Sequence, residues 1–160
     1  MGASMQRPLT AGEIELTRAA FGDRIDYARV KLSDGPGNHP FAHMAFAKGN
    51  PAITIGSTVY FKLDFCPDFS APGRNRKSFL HEMTHVWQSQ ARGEWYLLLH
   101  RHPFCRYDYS LKPGWTLERY GIEQQAEIVR HAFLLRRGLR LAGIADPAAY
   151  DLLVDFPGAG

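Results

Sequence analysis

Residues 78–88, SFLHEMTHVWQ, carry two histidines four positions apart, His81 and His85, with Glu82 directly after the first. On a helix, residues four apart share one face, so both imidazole rings can converge on a single ion. Zinc accepts imidazole ligands, and a catalytic zinc site combines three protein ligands with an open position for water. Glu82 is placed to take a proton from that water as the general base. The motif predicts a zinc-dependent hydrolase.

The segment around this motif has the spacing of an amphipathic helix. Asn75 is a predicted cap and Gly93 a predicted stop, which gives a helix over about residues 76–91. The apolar side chains that can face the core while the histidines face elsewhere are Phe79, Met83, Val86 and Trp87. The alternative interpretation is a pair of packed or exposed histidines, and a third ligand decides between the two.

The longest helical pattern, Leu117–Arg137, offers two carboxylates four residues apart, Glu123 and Glu127. One can bind the zinc ion while the other accepts the spare ring N–H of a metal-bound histidine. Spacing alone leaves both assignments open, and a solvated acidic face is the plain alternative. The apolar stripe expected to seat this helix against the motif helix is Ile122, Ala126, Val129 and Phe133.

Three tyrosines are candidates for a hydroxyl that stabilises a transition state. Tyr120 is expected one helical turn before Glu123, on the same face. Tyr107 and Tyr109 lie in an irregular aromatic segment, residues 102–116, which can line a cleft before the third-ligand helix. Ordinary packing is the alternative role for each of them.

HEMTHVWQ followed by EQQAE resembles the gluzincin type of zinc metallopeptidase, which pairs an HExxH motif with a downstream glutamate. This resemblance implies a zincin-like fold. It also implies that Glu123 is the third zinc ligand and that Glu127 orients a ligating histidine. The reverse assignment stays open.

Two further resemblances concern the setting of the domain. FGDRIDYARVKL together with SFLHEMTHVWQ is similar to small HExxH domains encoded with contractile injection systems. HPFCRYDYSLKPGW and ERYGIEQQAEIVRHAFL resemble bacterial Vgr-related proteins, which take their name from the spike of type VI secretion. The similarity runs from about Leu9 to Leu135. It implies a secretion spike or effector as a partner, and export by a contractile secretion system.

Composition limits the other function classes. The chain has 160 residues and a formal charge of +3, which predicts one domain without a nucleic-acid-binding surface. The cluster of Arg136, Arg137 and Arg140 is read as a solvated helix end. The sequence contains no 18-residue apolar run, so no membrane span is predicted. MGASMQRP lacks the apolar core of a signal peptide, so synthesis in the cytoplasm is expected. Cys66 and Cys105 are either two thiols or one bridge.

The predicted fold is α+β, as a single domain over residues 9–160. Residues 1–8 are expected to be flexible, with Gly2–Ser4 a cloning remnant. Thr10–Glu13 forms a capping box that opens a first helix, which ends at Gly22. β-rich segments at 25–33, 44–47, 53–55 and 58–61 predict a small antiparallel sheet, followed by the motif helix and by a long C-terminal helix carrying the third ligand. Asp146-Pro147 opens a last short helix.

The sequence therefore favours a zinc metallopeptidase in which Glu82 activates a zinc-bound water. A peptide or protein substrate is expected in a cleft between the motif helix and the sheet edge, and amide bonds of peptidoglycan stems remain open. The alternative is a non-catalytic, zinc-braced interaction module that binds a secretion spike or effector. Glu82 argues for the enzyme, because a purely structural zinc site does not need a base beside a ligand. Structural zinc also usually closes all four positions with protein ligands.

Overall fold

The computed structural model describes residues 4–101, 105–144 and 146–160, and over these ranges the chain is α+β. Residues 1–3, which include Gly2 and Ala3 of the expected cloning remnant, lie outside the described residues, as do residues 102–104 at the start of the aromatic segment. The strands are β1 (Met5–Pro8), β2 (Lys31–Asp34), β3 (Ala52–Ile55) and β4 (Thr58–Phe61). The helices are α1 (Ala11–Phe21), α2 (Pro40–Ala47), α3 (Arg76–Arg92), α4 (Trp95–His100), α5 (Ile122–Arg136) and α6 (Pro147–Leu153).

The four strands form one mixed sheet in the order β1-β2-β4-β3. The β1–β2 and β3–β4 pairs are antiparallel, whereas β2 runs parallel to β4. The prediction of an antiparallel sheet is therefore wrong at its centre. Parallel neighbours need a crossover connection, and α2 together with β3 supplies it between β2 and β4.

Residues 44–47, predicted as a strand, belong to helix α2. Pro40 occupies the first helical turn, where its fixed φ favours the helix and its missing N–H costs nothing. Ala42, Ala45 and Phe46 are buried and pack with Ile53 of β3. This tertiary packing outweighs the β propensity of a short apolar run.

Residues 5–8, expected to be flexible, form the edge strand β1, and an ionic cluster ties it to the domain. The Arg7 guanidinium donates two hydrogen bonds to the Glu13 carboxylate, at 2.9 and 2.8 Å. Glu13 is fully buried and also accepts the backbone N–H groups of Thr10 (2.9 Å) and Phe69 (2.8 Å). The predicted capping box at Thr10 is thus present, and it is extended by a salt bridge to β1.

Arg7→Ala is expected to lower the free energy of unfolding by about 3 kcal/mol, because it leaves the Glu13 charge buried without its cation. Urea unfolding of the purified protein measures this. The matched control is Arg18→Ala, whose ion pair with Asp23 is exposed on both sides, so a loss below about 1 kcal/mol is expected there. Equal losses for the two variants would contradict the structural role of the cluster.

The two helices of the predicted site pack against each other. α3 begins after Asn75, whose side chain accepts the Ser78 N–H, and ends at Gly93, where φ is +96°. α5 begins at Ile122, later than predicted, because residues 117–119 form a single 3-10 turn and Tyr120 and Gly121 are extended. The predicted apolar stripe of α5 is buried against the core. No helix in the described ranges is long and apolar enough to span a membrane.

Candidate metal centre

Three ligand atoms from α3 and α5 meet at one point. The Glu123 Oε2 atom lies 2.9 Å from His81 Nε2 and 3.3 Å from His85 Nε2. The two Nε2 atoms are 3.2 Å apart. Zinc bonds of about 2.0–2.1 Å in a tetrahedral site place neighbouring ligand atoms about 3.3–3.4 Å apart. The three atoms thus have nearly the spacing of three corners of a zinc tetrahedron.

The hydrogen bonding of this cluster also fits a metal ion. Glu123 Oε2 is buried and accepts no hydrogen bond from the described groups, although two imidazole nitrogens face it. A buried carboxylate oxygen without a donor is costly unless a cation compensates it. The donor set of two imidazoles and one carboxylate is one that zinc accepts.

Gln88 fixes the orientation of the His85 ring. Its amide nitrogen donates to Ile122 O (3.0 Å) and to Gln125 Oε1 (2.9 Å), so its Oε1 faces the His85 ring. That oxygen lies 2.8 Å from His85 Nδ1, which must therefore carry the proton. The Nε2 lone pair of neutral His85 is left free for the cluster.

Sequence reasoning missed both glutamines. Gln125 completes the arrangement by donating to Tyr120 O at 2.8 Å, and it is 2% exposed, as Gln88 is. The available signal was that Gln88 follows His85 by three residues, which places both on one helix face. Nothing in the spacing identifies Gln125, because its partner lies on another helix.

Glu127 lies further from the cluster than Glu123 does. Its Oε1 is 3.8 Å from His81 Nδ1, the ring nitrogen that points away from Glu123, and Arg130 holds its Oε2 at 2.6 Å. The nearby His81 ring, and then the hydrogen bond from Arg130, lower the pKa of Glu127 to about 2. The Glu127 carboxylate thus lies on the Nδ1 side of the His81 ring, whereas Glu123 lies next to its Nε2 atom.

The charges of the cluster are strongly coupled. Burial by itself lowers the pKa of His81, but the nearby Glu123 and Glu127 carboxylates outweigh it and raise that pKa to about 9. Burial opposes ionisation of Glu123, yet the close approach of the His81 and His85 rings holds its pKa well below the usual range. The carboxylates are therefore ionised, as metal ligands must be.

Glu82 lies in a cleft beside these three atoms, and a residue outside the HExxH motif holds its side chain. The Thr54 hydroxyl, on strand β3, donates to Glu82 Oε2 at 2.7 Å. Glu82 is 7% exposed and lines a cleft of about 340 Å³ together with His81, Glu123 and Ala52. Thr54 was not predicted, since it precedes Glu82 by 28 residues and only the fold brings it there.

Of the three candidate tyrosines, Tyr107 lines this cleft. Its ring lies 6.0 Å from that of His81, nearly parallel to it, and its pKa is raised by burial and by the charge of Glu123. The Tyr109 hydroxyl instead bonds to His131 and to Tyr150 in a neighbouring cavity.

Tyr120 lies outside α5, contrary to its expected place one turn before Glu123. Its hydroxyl accepts the Lys112 N–H at 2.8 Å and its ring packs on Trp115. The two cysteines form no disulfide: Cys66 is buried, and Cys105 lines the cleft.

Comparison with known proteins identifies the family. No family model matches the chain. The chain is 37% identical, over 165 residues, to the type VI secretion system spike protein VgrG2b of Pseudomonas aeruginosa. This match covers 97% of the chain but only 15% of the spike protein. The solved effector domain of Pseudomonas aeruginosa VgrG2b is 32% identical, with a TM-score of 0.67, over 92% of this chain and 83% of that domain.

The chain belongs to the family of type VI secretion effector domains represented by that of VgrG2b. The resemblance to Vgr-related bacterial proteins is thereby confirmed. The gluzincin chemistry and the zincin-like fold remain predictions, because neither comparison names a fold or a reaction.

Proposed function

We propose that this domain is a zinc-dependent metallopeptidase. The observation that carries the proposal is the convergence of His81 Nε2, His85 Nε2 and Glu123 Oε2 beside a cleft that also contains the Glu82 carboxylate. Three ligands leave a fourth position for water or substrate. Zinc bound there would polarise a substrate carbonyl and make water acidic enough to react near neutral pH.

The residues of the chain have separate roles in this proposal. Glu82 takes a proton from the attacking water and delivers it to the leaving amine, and Thr54 holds its carboxylate in place. Tyr107 donates its hydroxyl to the developing oxyanion. Gln88 and Glu127 keep the two imidazole rings in their orientation.

The proposed substrate is a peptide or protein in extended form. Strand β3 is the last strand of the sheet order, and Ala52 at its start lines the cleft. A free strand edge can pair with an extended chain through backbone hydrogen bonds. The family context supports a secretion-associated effector that is made in the cytoplasm, has a spike protein as its partner and is exported by type VI secretion.

Removal of the metal tests the proposal directly. The purified protein should cleave an unfolded protein substrate, lose this activity after dialysis against a chelator, and regain it when about one equivalent of zinc is added. Mass spectrometry of the products measures the cleavage. Activity that persists in metal-free protein would refute a zinc-dependent reaction. Zinc binding without any hydrolysis would favour the interaction module.

Thr54→Val is expected to lower kcat/KM by about 10- to 100-fold while zinc content is unchanged, because a hydrogen bond to a charged group contributes about 1.5–3 kcal/mol. Thr54→Ser keeps the hydroxyl and should retain most of the activity. Thr58→Val, on neighbouring strand β4, is the matched control for a changed β-branched residue. An effect of Thr54→Val on zinc content alone would exclude the proposed role of Thr54.

A further inference from the structure

The backbone of β3 has groups available on the free edge of the sheet. Pro51 O accepts the Lys62 N–H at 2.8 Å, and the register that follows pairs Ala52 with Phe61 and Thr54 with Val59. Hydrogen-bonded and non-hydrogen-bonded pairs alternate along an antiparallel ladder. The N–H and C=O groups of Ala52 and Thr54 therefore point away from β4, toward the edge next to the cleft.

The two faces of β3 look in different directions. Thr54 faces α3, where it binds Glu82. Ile53 is buried on the opposite face, against Ala45 and Phe46 of α2. Side chains alternate between the faces of a sheet, and a chain added to the edge continues that alternation. Every second side chain of a bound peptide would thus point to the α2 face.

An apolar pocket lies on that face. It has a volume of about 380 Å³, and its apolar lining residues are Phe41, Met44 and Ala45 of α2, Ile53 of β3 and Leu98 of α4. Its polar lining residues are Lys48, Asn50 and Arg101. Phe41 and Met44 remain 36% and 47% exposed, so both present apolar surface at this pocket. Asn50 and Arg101 line both this pocket and the cleft that contains Glu82, so the two spaces are neighbours.

We infer that this pocket receives a large apolar side chain of the substrate, such as Leu, Met or Phe, while the substrate backbone pairs with the edge of β3. The inference rests on the proposed peptidase function and specifies its substrate class. It favours polypeptides with bulky apolar residues over peptidoglycan stems, whose residues are small or charged and would leave the pocket unfilled.

Cleavage-site profiling tests the pocket. The zinc-loaded protein is incubated with a proteome-derived peptide library and, separately, with purified peptidoglycan. The expected result is enrichment of Leu, Met and Phe at one fixed position relative to the cut, and no release from peptidoglycan. Met44→Lys adds a cation beside Lys48 and should shift that position toward Asp and Glu. Leu139→Lys, at an exposed apolar residue outside the pocket and cleft, should keep the wild-type preference.

A binding measurement separates recognition from turnover. A fluorescent peptide taken from a preferred site is titrated into zinc-loaded Glu82→Gln protein. Replacing the apolar residue of the peptide with Ala should weaken binding about tenfold or more. Two results would refute the proposed role of the pocket but not the peptidase function. One is Glu82-dependent cleavage without an apolar preference, and the other is an apolar preference that Met44→Lys leaves unchanged. Absence of any Glu82-dependent cleavage would overturn both.

Discussion

Glu82→Gln is expected to lower peptide hydrolysis by about 10²- to 10⁴-fold, the usual contribution of a general base. Glutamine has the size of glutamate and can still accept the Thr54 hydroxyl, so the cleft should keep its shape. It cannot take a proton from water. Zinc content should stay at the wild-type level, because Glu82 is not one of the three converging ligands.

The measurement is kcat/KM on a quenched fluorescent peptide, with zinc determined on the same samples by elemental analysis. Glu15→Gln is the matched control, since it makes the same change at an exposed position of α1. Equal hydrolysis by Glu82→Gln and wild type would exclude Glu82 as the base. Loss of zinc in Glu82→Gln would mean that Glu82 belongs to the metal site itself.

Glu123→Ala is expected to abolish stoichiometric zinc binding. The wild-type protein should hold about one zinc per chain, and the variant close to none, because two imidazoles alone do not make the three-ligand site typical of zinc enzymes. The Glu123 oxygen lies 2.9 and 3.3 Å from the two imidazole nitrogens that face it. Elemental analysis of the reconstituted proteins measures the loss.

Glu127→Ala is the comparison variant for this experiment. Its carboxylate lies 3.8 Å from the other nitrogen of His81, so its removal should weaken zinc affinity by about 10- to 100-fold without abolishing binding. Competition with a chromophoric chelator measures the zinc affinity of the wild type and of each variant. The opposite order of losses would make Glu127 the third ligand. No zinc in the wild type after reconstitution would refute the metal centre.

The local part of the site could be predicted from the sequence, because helices are set by short-range rules. Helical periodicity places His81 and His85 on one face, and the cap at Asn75 and the positive φ at Gly93 bound their helix within a residue of the prediction. The four-residue spacing of Glu123 and Glu127 likewise predicts that both carboxylates lie on one helix face. The choice of Glu123 rather than Glu127 as the third ligand depends on the resemblance to gluzincins.

The tertiary structure decided the contacts between distant segments. Thr54 reaches Glu82 from β3, and Gln88 meets Gln125 across two helices. Strand direction and the helical state of residues 44–47 likewise follow from packing and from the path of the chain between strands. The periodicity of apolar residues and the capping residues determine the conformation of a single segment. Which segments become neighbours depends on burying all their apolar faces at once, and no single segment specifies that.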